Sequence, residues 1–231
     1  MGRTTIIFPA YNAANTLKAT YLNLPKVYDE LLLCDDASQD KTKVISQKLG
    51  IKTIVHERNL GYGANQKSLF NAIKASKSDV IIMVHPDDQY NTKCLPEMIE
   101  QIHSGSDLVL GSRFKTARLN GMPLWKYAAN RFLTFCQNQV YGAGLSEYHT
   151  GLRAYNAKLL KKIPYETFSD NFVFDSELIA WTIANKYQIT EVDTDCYYNS
   201  TISSIKFWPS FVYGLTTLRV LWRFGTGYYT R

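Results

Sequence analysis

Polar side chains that could bind a metal or a nucleotide gather where short apolar runs of this chain end. His85-Pro86-Asp87-Asp88-Gln89-Tyr90 follows the run Val80-Ile81-Ile82-Met83-Val84. Carboxylates at the carboxyl edge of a buried parallel strand suit a divalent cation carrying phosphates, and that edge is where open α/β sheets bind ligands. A polar turn after a strand is the plainer reading of the same residues. The pair Asp35-Asp36 follows a second apolar run and could accept hydrogen bonds from a base imide or a ribose hydroxyl. In Asp36-Ala37-Ser38-Gln39-Asp40, Ser38 or Asp40 also suits the cap of a following helix. Gly61 and Gly63 permit close backbone approach, which by itself marks only a turn.

The elements that must position these residues follow from hydrophobic periodicity. Strands are predicted at Thr4 to Phe8, Glu30 to Cys34, Lys52 to Val55, Val80 to Val84 and Leu108 to Gly111. Between them, residues 13–22, 41–49, 64–75 and 95–103 carry apolar side chains at helical spacing. The alternation predicts βαβ units and a mostly parallel, Rossmann-like sheet flanked by helices in a single domain. If the sheet is parallel, four polar strand ends share one edge. After Arg113 the order weakens: long helices are predicted over Trp125 to Val140 and Asp175 to Lys186, and a last strand-like stretch over Ile189 to Tyr198.

Composition narrows the function classes. The chain has 231 residues, 45% of them hydrophobic, enough for one substantial core. The net charge of +6 is spread along the chain, which favours anionic substrates or a membrane surface over nucleic acid, and no zinc-finger or RNA-binding signature is present. Cys34, Cys94, Cys136 and Cys196 stand apart, so neither a zinc site nor a disulfide framework is indicated. The amino terminus enters a strand without a signal-peptide layout, and a cytoplasmic protein is expected. A glycine-rich phosphate turn is missing after the first strand, which disfavours a dinucleotide oxidoreductase. Asp35-Asp36 follows the second strand rather than the first, which disfavours a phosphoacceptor receiver domain.

The ordered motifs Pro9-Ala10-Tyr11-Asn12, Asp35 to Asp40, Asn59-Leu60-Gly61-Tyr62-Gly63-Ala64, Asp87-Asp88-Gln89 and Gly111-Ser112-Arg113 resemble family 2 glycosyltransferases of the GT-A fold, over roughly residues 4 to 206. They are most similar to the dolichol-phosphate mannose synthase-like branch. The resemblance implies an inverting transferase that uses a nucleotide-diphosphate sugar with Mg²⁺ or Mn²⁺. It implies nucleotide-sugar contacts at Pro9, Tyr11, Asn12, Asp35, Asp36, Asn59, Gly63, Asp88 and Arg153. That branch ends its metal strand in Asp-Ala-Asp-Leu-Gln, so His85 stands at the first aspartate position. Asp87 and Gln89 match the second aspartate and the glutamine and are the metal candidates. His85 is a third, or a hydrogen-bond donor to the diphosphate, or a packing residue. A catalytically impaired nucleotide-sugar-binding protein is the alternative that His85 motivates.

Acceptor residues follow from the same resemblance. Arg113 matches an arginine that faces a polyprenyl phosphate, and Lys126, Asn130 and Arg131 fall where that branch has further phosphate contacts. The acceptor is thus a dolichyl- or undecaprenyl-type phosphate or a growing cell-surface glycan. Asp175 and Glu177 are candidate general bases, required for a hydroxyl acceptor and superfluous for a phosphate. The expected organisation is a nucleotide-sugar-binding half (1–113), an acceptor-binding half (114–206) and an amphipathic tail (207–231). Phe211, Leu215, Leu218 and Trp222 share a helical face flanked by Arg219 and Arg223. That tail is too short to span a bilayer but could rest on the cytoplasmic face of one through 207–224, or pack on the core or a second subunit of a homo-oligomer.

Overall fold

A computed structural model of the chain describes residues 2–74, 76–198 and 207–230, with the side chains of 207–209 left aside. The eight residues 199–206, the end of the expected acceptor half, lie outside the described residues. In chain order the elements of the first half are β1 (Thr4–Ala10), α1 (Leu17–Asn23), β2 (Glu30–Asp35), α2 (Thr42–Lys48), β3 (Lys52–Val55), α3 (Tyr62–Ile73), β4 (Val80–Met83), α4 (Leu95–His103) and β5 (Leu108–Ser112). Then come α5 (Leu124–Tyr141), β6 (Arg153–Asn156), the single turn α6 (Ala157–Leu160), α7 (Phe174–Ala184), β7 (Ile189–Asp193) and α8 (Phe207–Gly225).

The seven strands form one sheet in the order β3-β2-β1-β4-β6-β5-β7. Every pairing is parallel except the two made by β6. The central strands are buried along their whole length because helices cover both faces. Alternation along each strand sorts the core: Ile7, Leu32, Ile81 and Leu108 pack with α3, α7 and α8, while Ile6, Leu33, Ile82 and Val109 pack with α1 and α4 on the opposite face. Helix α7 is buried from Phe174 to Thr182 on all sides, as expected of a helix apolar all round.

Strand β6 is the departure from the expected pattern. No strand is predicted at residues 153–156, because four residues containing an arginine carry no legible alternation. The structure inserts β6 antiparallel between β4 and β5, with Arg153 opposite Met83 on one side and Leu110 on the other. The two expected halves therefore share one sheet. An antiparallel strand also begins where its parallel neighbours end, which brings the start of β6 to the ligand edge.

Candidate active site

The carboxyl ends of β1, β2, β3 and β4 lie along one edge, and the turns that follow are tied together there. Asn12 takes a left-handed φ of 52° and its backbone N–H donates to Ser38 Oγ (2.8 Å), while its side chain accepts from Gln39 N–H (2.9 Å). Asp40 Oδ1 accepts from the N–H of Thr42 (2.9 Å), the first residue of α2, but the cap position itself is held by Lys41 without a side-chain cap hydrogen bond, so neither Ser38 nor Asp40 is the cap expected of this stretch. Asp36 accepts from the N–H groups of Leu60 (2.8 Å) and Gly61 (2.9 Å) and from His56 Nδ1 (2.7 Å). Its oxygens clamp the β3–α3 turn. Asp35 accepts on Oδ1 from Ser38 N–H (3.1 Å) and from the Ser38 hydroxyl, and Oδ2 has no hydrogen bond among the described residues. Of the pair, Asp35 is the one with an oxygen left for a ligand. Pro9 is buried in β1, and Tyr11 and Asn59 are exposed at the same edge.

His85 sits in a buried polar chain. Tyr62 Oη donates its only proton to Asp175 Oδ2 (2.9 Å), so its contact with His85 Nε2 (2.9 Å) makes the imidazole the donor. Burial pushes the His85 pKa down, so the ring is neutral and its lone pair lies on Nδ1. Gly151 lies so close to the ring that a Cβ there would stand 2.7 Å from His85 Cε1. Burial raises the Asp87 carboxyl, with His85 opposing the rise; Asp87 Oδ1 accepts from Gln89 N–H (3.2 Å). Imidazole, carboxylate and amide are donor types that suit a divalent cation carrying a nucleotide's phosphates, imidazole suiting Mn²⁺ better than Mg²⁺, and Gln89 Oε1 lies 3.9 Å from Cys196 Sγ. Among the described residues no cluster of three or more His, Cys, Asp or Glu could hold a metal alone.

The two candidate bases are engaged elsewhere. Asp175 Oδ1 accepts from Gln66 Nε2 (2.9 Å) and lies 2.5 Å from Nη1 of Arg153, whose side chain is 1% exposed. Arg153 is thus the charge partner of Asp175, and it also donates to Thr150 O (2.7 Å). Glu177 accepts from Ser169 N–H (2.6 Å) and from Arg223 Nη1 of α8 (3.3 Å), and burial raises its pKa. Asp88, at a left-handed φ of 55°, accepts from Asn23 Nδ2, and its backbone N–H donates to Thr20 Oγ1, which binds it to α1. Gly63 is a close-approach glycine: its N–H donates to Asp170 O (2.7 Å), and a Cβ would stand 2.3 Å from Ser169 O.

Arg113 is buried and largely satisfied. Its Nε donates to both oxygens of Glu147 (2.9 and 3.1 Å), Nη2 to Glu147 and to His149 O, and Nη1 to Tyr198 Oη (2.9 Å). Burial opposes the charge of Arg113 most strongly, but Glu147, Tyr90 and Tyr198 together hold its pKa above the ordinary value. Lys126 lies over the Tyr198 ring at 5.3 Å and makes no salt bridge among the described residues. Burial, and then the charge of Arg113, lower its pKa. It is the cation of this corner with donors to spare. Arg131 is exposed and lies over the Phe114 ring, and Asn130 turns into the core.

Tyr62, His56, Gln66, Glu147 and Tyr198 are the site residues that pattern reading does not single out. Tyr62 stands inside the quoted motif Asn59 to Ala64, where an aromatic ring between two glycines is the available signal. The others meet the site only through tertiary packing.

Glycosyl transferase family 2 matches residues 5–164. A dolichyl-phosphate hexose transferase of Haloferax volcanii is 28% identical over 189 residues, which are 81% of this chain and 79% of that protein. A UDP-N-acetylglucosamine–dolichyl-phosphate N-acetylglucosaminyltransferase of Methanococcus voltae is 26% identical over 213 residues, 84% of this chain and 85% of that one. Among solved structures, glucosyl-3-phosphoglycerate synthase from Mycobacterium tuberculosis, in complex with Mn²⁺, UDP and phosphoglyceric acid, superposes with a TM-score of 0.72. That likeness covers 97% of this chain and 78% of that chain at 15% identity, and it speaks for the fold alone. With the family matching more than half of the sequence and the sheet edge built as described, the chain belongs to glycosyl transferase family 2 and is a glycosyltransferase of the GT-A fold.

Proposed function

We propose that this enzyme moves a sugar, with inversion, from a nucleotide-diphosphate sugar to a polyprenyl phosphate. The observation that carries the choice of acceptor is the state of the acids outside the metal candidates. Glu147, Asp175 and Glu177 are each bound to an arginine. None is free to deprotonate a hydroxyl, and an anionic phosphate acceptor requires no base. The relatives named for dolichyl-phosphate acceptors support the same reading.

In this reading Asp35 Oδ2 receives the nucleoside, with Tyr11 and Asn59 beside it. Asp87, Gln89 and His85 Nδ1 would hold Mn²⁺ or Mg²⁺, which neutralises charge on the leaving diphosphate. Lys126 and the remaining donor of Arg113 hold the acceptor phosphate. A phosphate oxygen bonds to the anomeric carbon on the face opposite the diphosphate, and the bond to the diphosphate breaks with its electron pair leaving on the nucleotide. Asp175 and Arg153 position His85 through Tyr62, and Glu177 fastens α8.

Mass-spectrometric detection of product from a panel of nucleotide sugars, with short-chain polyprenyl phosphate or oligosaccharide as acceptor, tests the reading. Lys126→Ala is expected to raise KM for the lipid phosphate roughly tenfold to a hundredfold, from the loss of hydrogen bonds to a charged group. Donor binding should be unchanged. Undiminished transfer to lipid phosphate by that variant, or transfer only to the oligosaccharide, would overturn it. His85 at an aspartate position supports a second reading, a binding-only protein, which nucleotide-sugar binding without turnover of any donor would favour.

A further inference from the structure

The turn between β3 and α3 is held by a histidine that the transfer chemistry leaves unused. His56 follows β3 directly, and its backbone N–H donates to Asp35 O (2.9 Å). Its side chain is 8% exposed, with Nδ1 2.7 Å from Asp36 Oδ1. A carboxylate only accepts, so Nδ1 carries a proton and donates it. On the far side of the ring, Nε2 lies 2.8 Å from Ser68 Oγ and 3.4 Å from Cys34 Sγ. Burial, and then the charges of Asp36 and Asp35, push the Cys34 thiol up to about 12, so it stays a thiol. Ser68 belongs to α3 and Cys34 to β2, and the ring is therefore gripped from two elements while its third contact is the carboxylate.

Asp36 passes this constraint to the backbone. The oxygen that accepts from His56 also accepts from Leu60 N–H (2.8 Å), and its other oxygen accepts from Gly61 N–H (2.9 Å). Gly61 takes a φ of 102°, in the region that glycine alone enters freely, so nothing in its own backbone preference fixes the path of the turn. The residues on either side of this pair belong to the two ends of the donor site. Asn59 precedes it at the exposed edge, and Tyr62 follows it as the first residue of α3, 2.9 Å from His85 Nε2. One buried carboxylate thus sets the spacing between a nucleoside contact and the residue that orients the diphosphate corner. Among the described residues, His56 is the only side chain that bonds it.

We propose that His56 is a positioning residue for the nucleotide: its Nδ1 proton fixes the rotation of the Asp36 carboxylate, and that carboxylate fixes the Leu60-Gly61 backbone that spaces Asn59 from Tyr62. Hydrogen bonds to an ionised acceptor are shorter and stronger than neutral ones, which suits this task. The proposal rests on the nucleotide-sugar reading of this edge.

Two amides separate positioning from packing. In His56→Asn the amide nitrogen stands where Nδ1 stood and keeps a donor for Asp36, whereas in His56→Gln the amide reaches the place of Nε2, keeps the bond to Ser68 and loses that donor. Asparagine is also the smaller side chain and leaves the larger cavity. A ring that only filled space would make His56→Asn the worse variant. The positioning role inverts that order for nucleotide binding.

Calorimetry of the full chain with UDP, GDP, ADP, CDP and dTDP, each with Mn²⁺, reads the order, at a temperature where circular dichroism shows every variant folded. His56→Gln should bind the preferred diphosphate roughly tenfold more weakly than the parent, the lower end of what losing a hydrogen bond to a charged group costs. His56→Asn should stay within about threefold of the parent. Binding by His56→Gln equal to the parent, or binding by His56→Asn weaker than by His56→Gln, overturns the proposal. Loss of roughly tenfold in His56→Asn overturns it on that variant alone, whether or not His56→Gln folds. A parent chain that binds none of the five diphosphates removes the nucleotide-sugar reading itself, and the proposal with it.

Discussion

Asp175→Asn separates a positioning carboxylate from a catalytic base. The carboxylate joins α7 to Arg153 of β6 and to Tyr62 and Gln66 of α3, and Arg153 is 1% exposed. An amide of the same shape leaves that guanidinium buried without a counter-charge. Removing one member of a buried pair costs about 3–5 kcal/mol. For a domain of this size about 2–4 °C of Tm is lost per kcal/mol, which sets a fall of roughly 6–20 °C. Urea and thermal unfolding followed by circular dichroism measure it. The companion Asp175→Asn with Arg153→Met removes both charges and should recover most of the loss, giving a coupling energy of several kcal/mol in a double-mutant cycle. Binding of nucleotide sugar should weaken in the single variant, because His85 loses the Tyr62 that orients it. A single variant that melts within about 2 °C of the parent while turnover collapses would refute the reasoning and restore Asp175 as a base.

Other perturbations probe the same corner. Gly151→Ala places a Cβ 2.7 Å from His85 Cε1; overpacking of this kind costs about 1–3 kcal/mol, and calorimetry should show nucleotide-sugar binding with Mn²⁺ about tenfold weaker. Asp87→Ala should abolish the part of nucleotide-diphosphate binding that depends on added metal, read by calorimetry with and without Mn²⁺; normal binding in that variant removes Asp87 from the metal site. Burial pushes His149 down to about 4, against about 6.5 in an unfolded chain. Below pH 6.5 the unfolded chain therefore takes up a proton that the folded chain refuses. Stability present above that pH is lost as pH falls toward 4, by on the order of 3 kcal/mol, with His85 adding in the same direction. Denaturation midpoints between pH 7 and 4 should show this slope, and His149→Gln should flatten it.

The strand predicted over Lys52 to Val55 and the helix over residues 95–103 coincide with β3 and α4, because buried apolar runs and amphipathic stripes are local signals. The pair Asp35-Asp36 stood out by type, yet nothing local distinguished the two. Their roles diverge because the β3–α3 turn folds over one carboxylate and leaves an oxygen of the other clear. The resemblance gives Arg113 an acceptor-phosphate contact and Arg153 a diphosphate or sugar contact, with a structural ion pair the alternative for Arg153. Each meets a buried carboxylate far away in sequence, at Glu147 and Asp175, and so becomes structural in whole or in part.

What the sequence determined by itself was the alternation of strands and helices, the edge at which the polar turns collect, and the family, because these rest on periodicity and on the order of short motifs. Tertiary structure decided which of those polar groups are free. A carboxylate, imidazole or guanidinium in a buried edge must find partners, and whether the partner is another side chain or a ligand depends on the antiparallel insertion of β6 and the docking of α7 and α8, which no local spacing encodes.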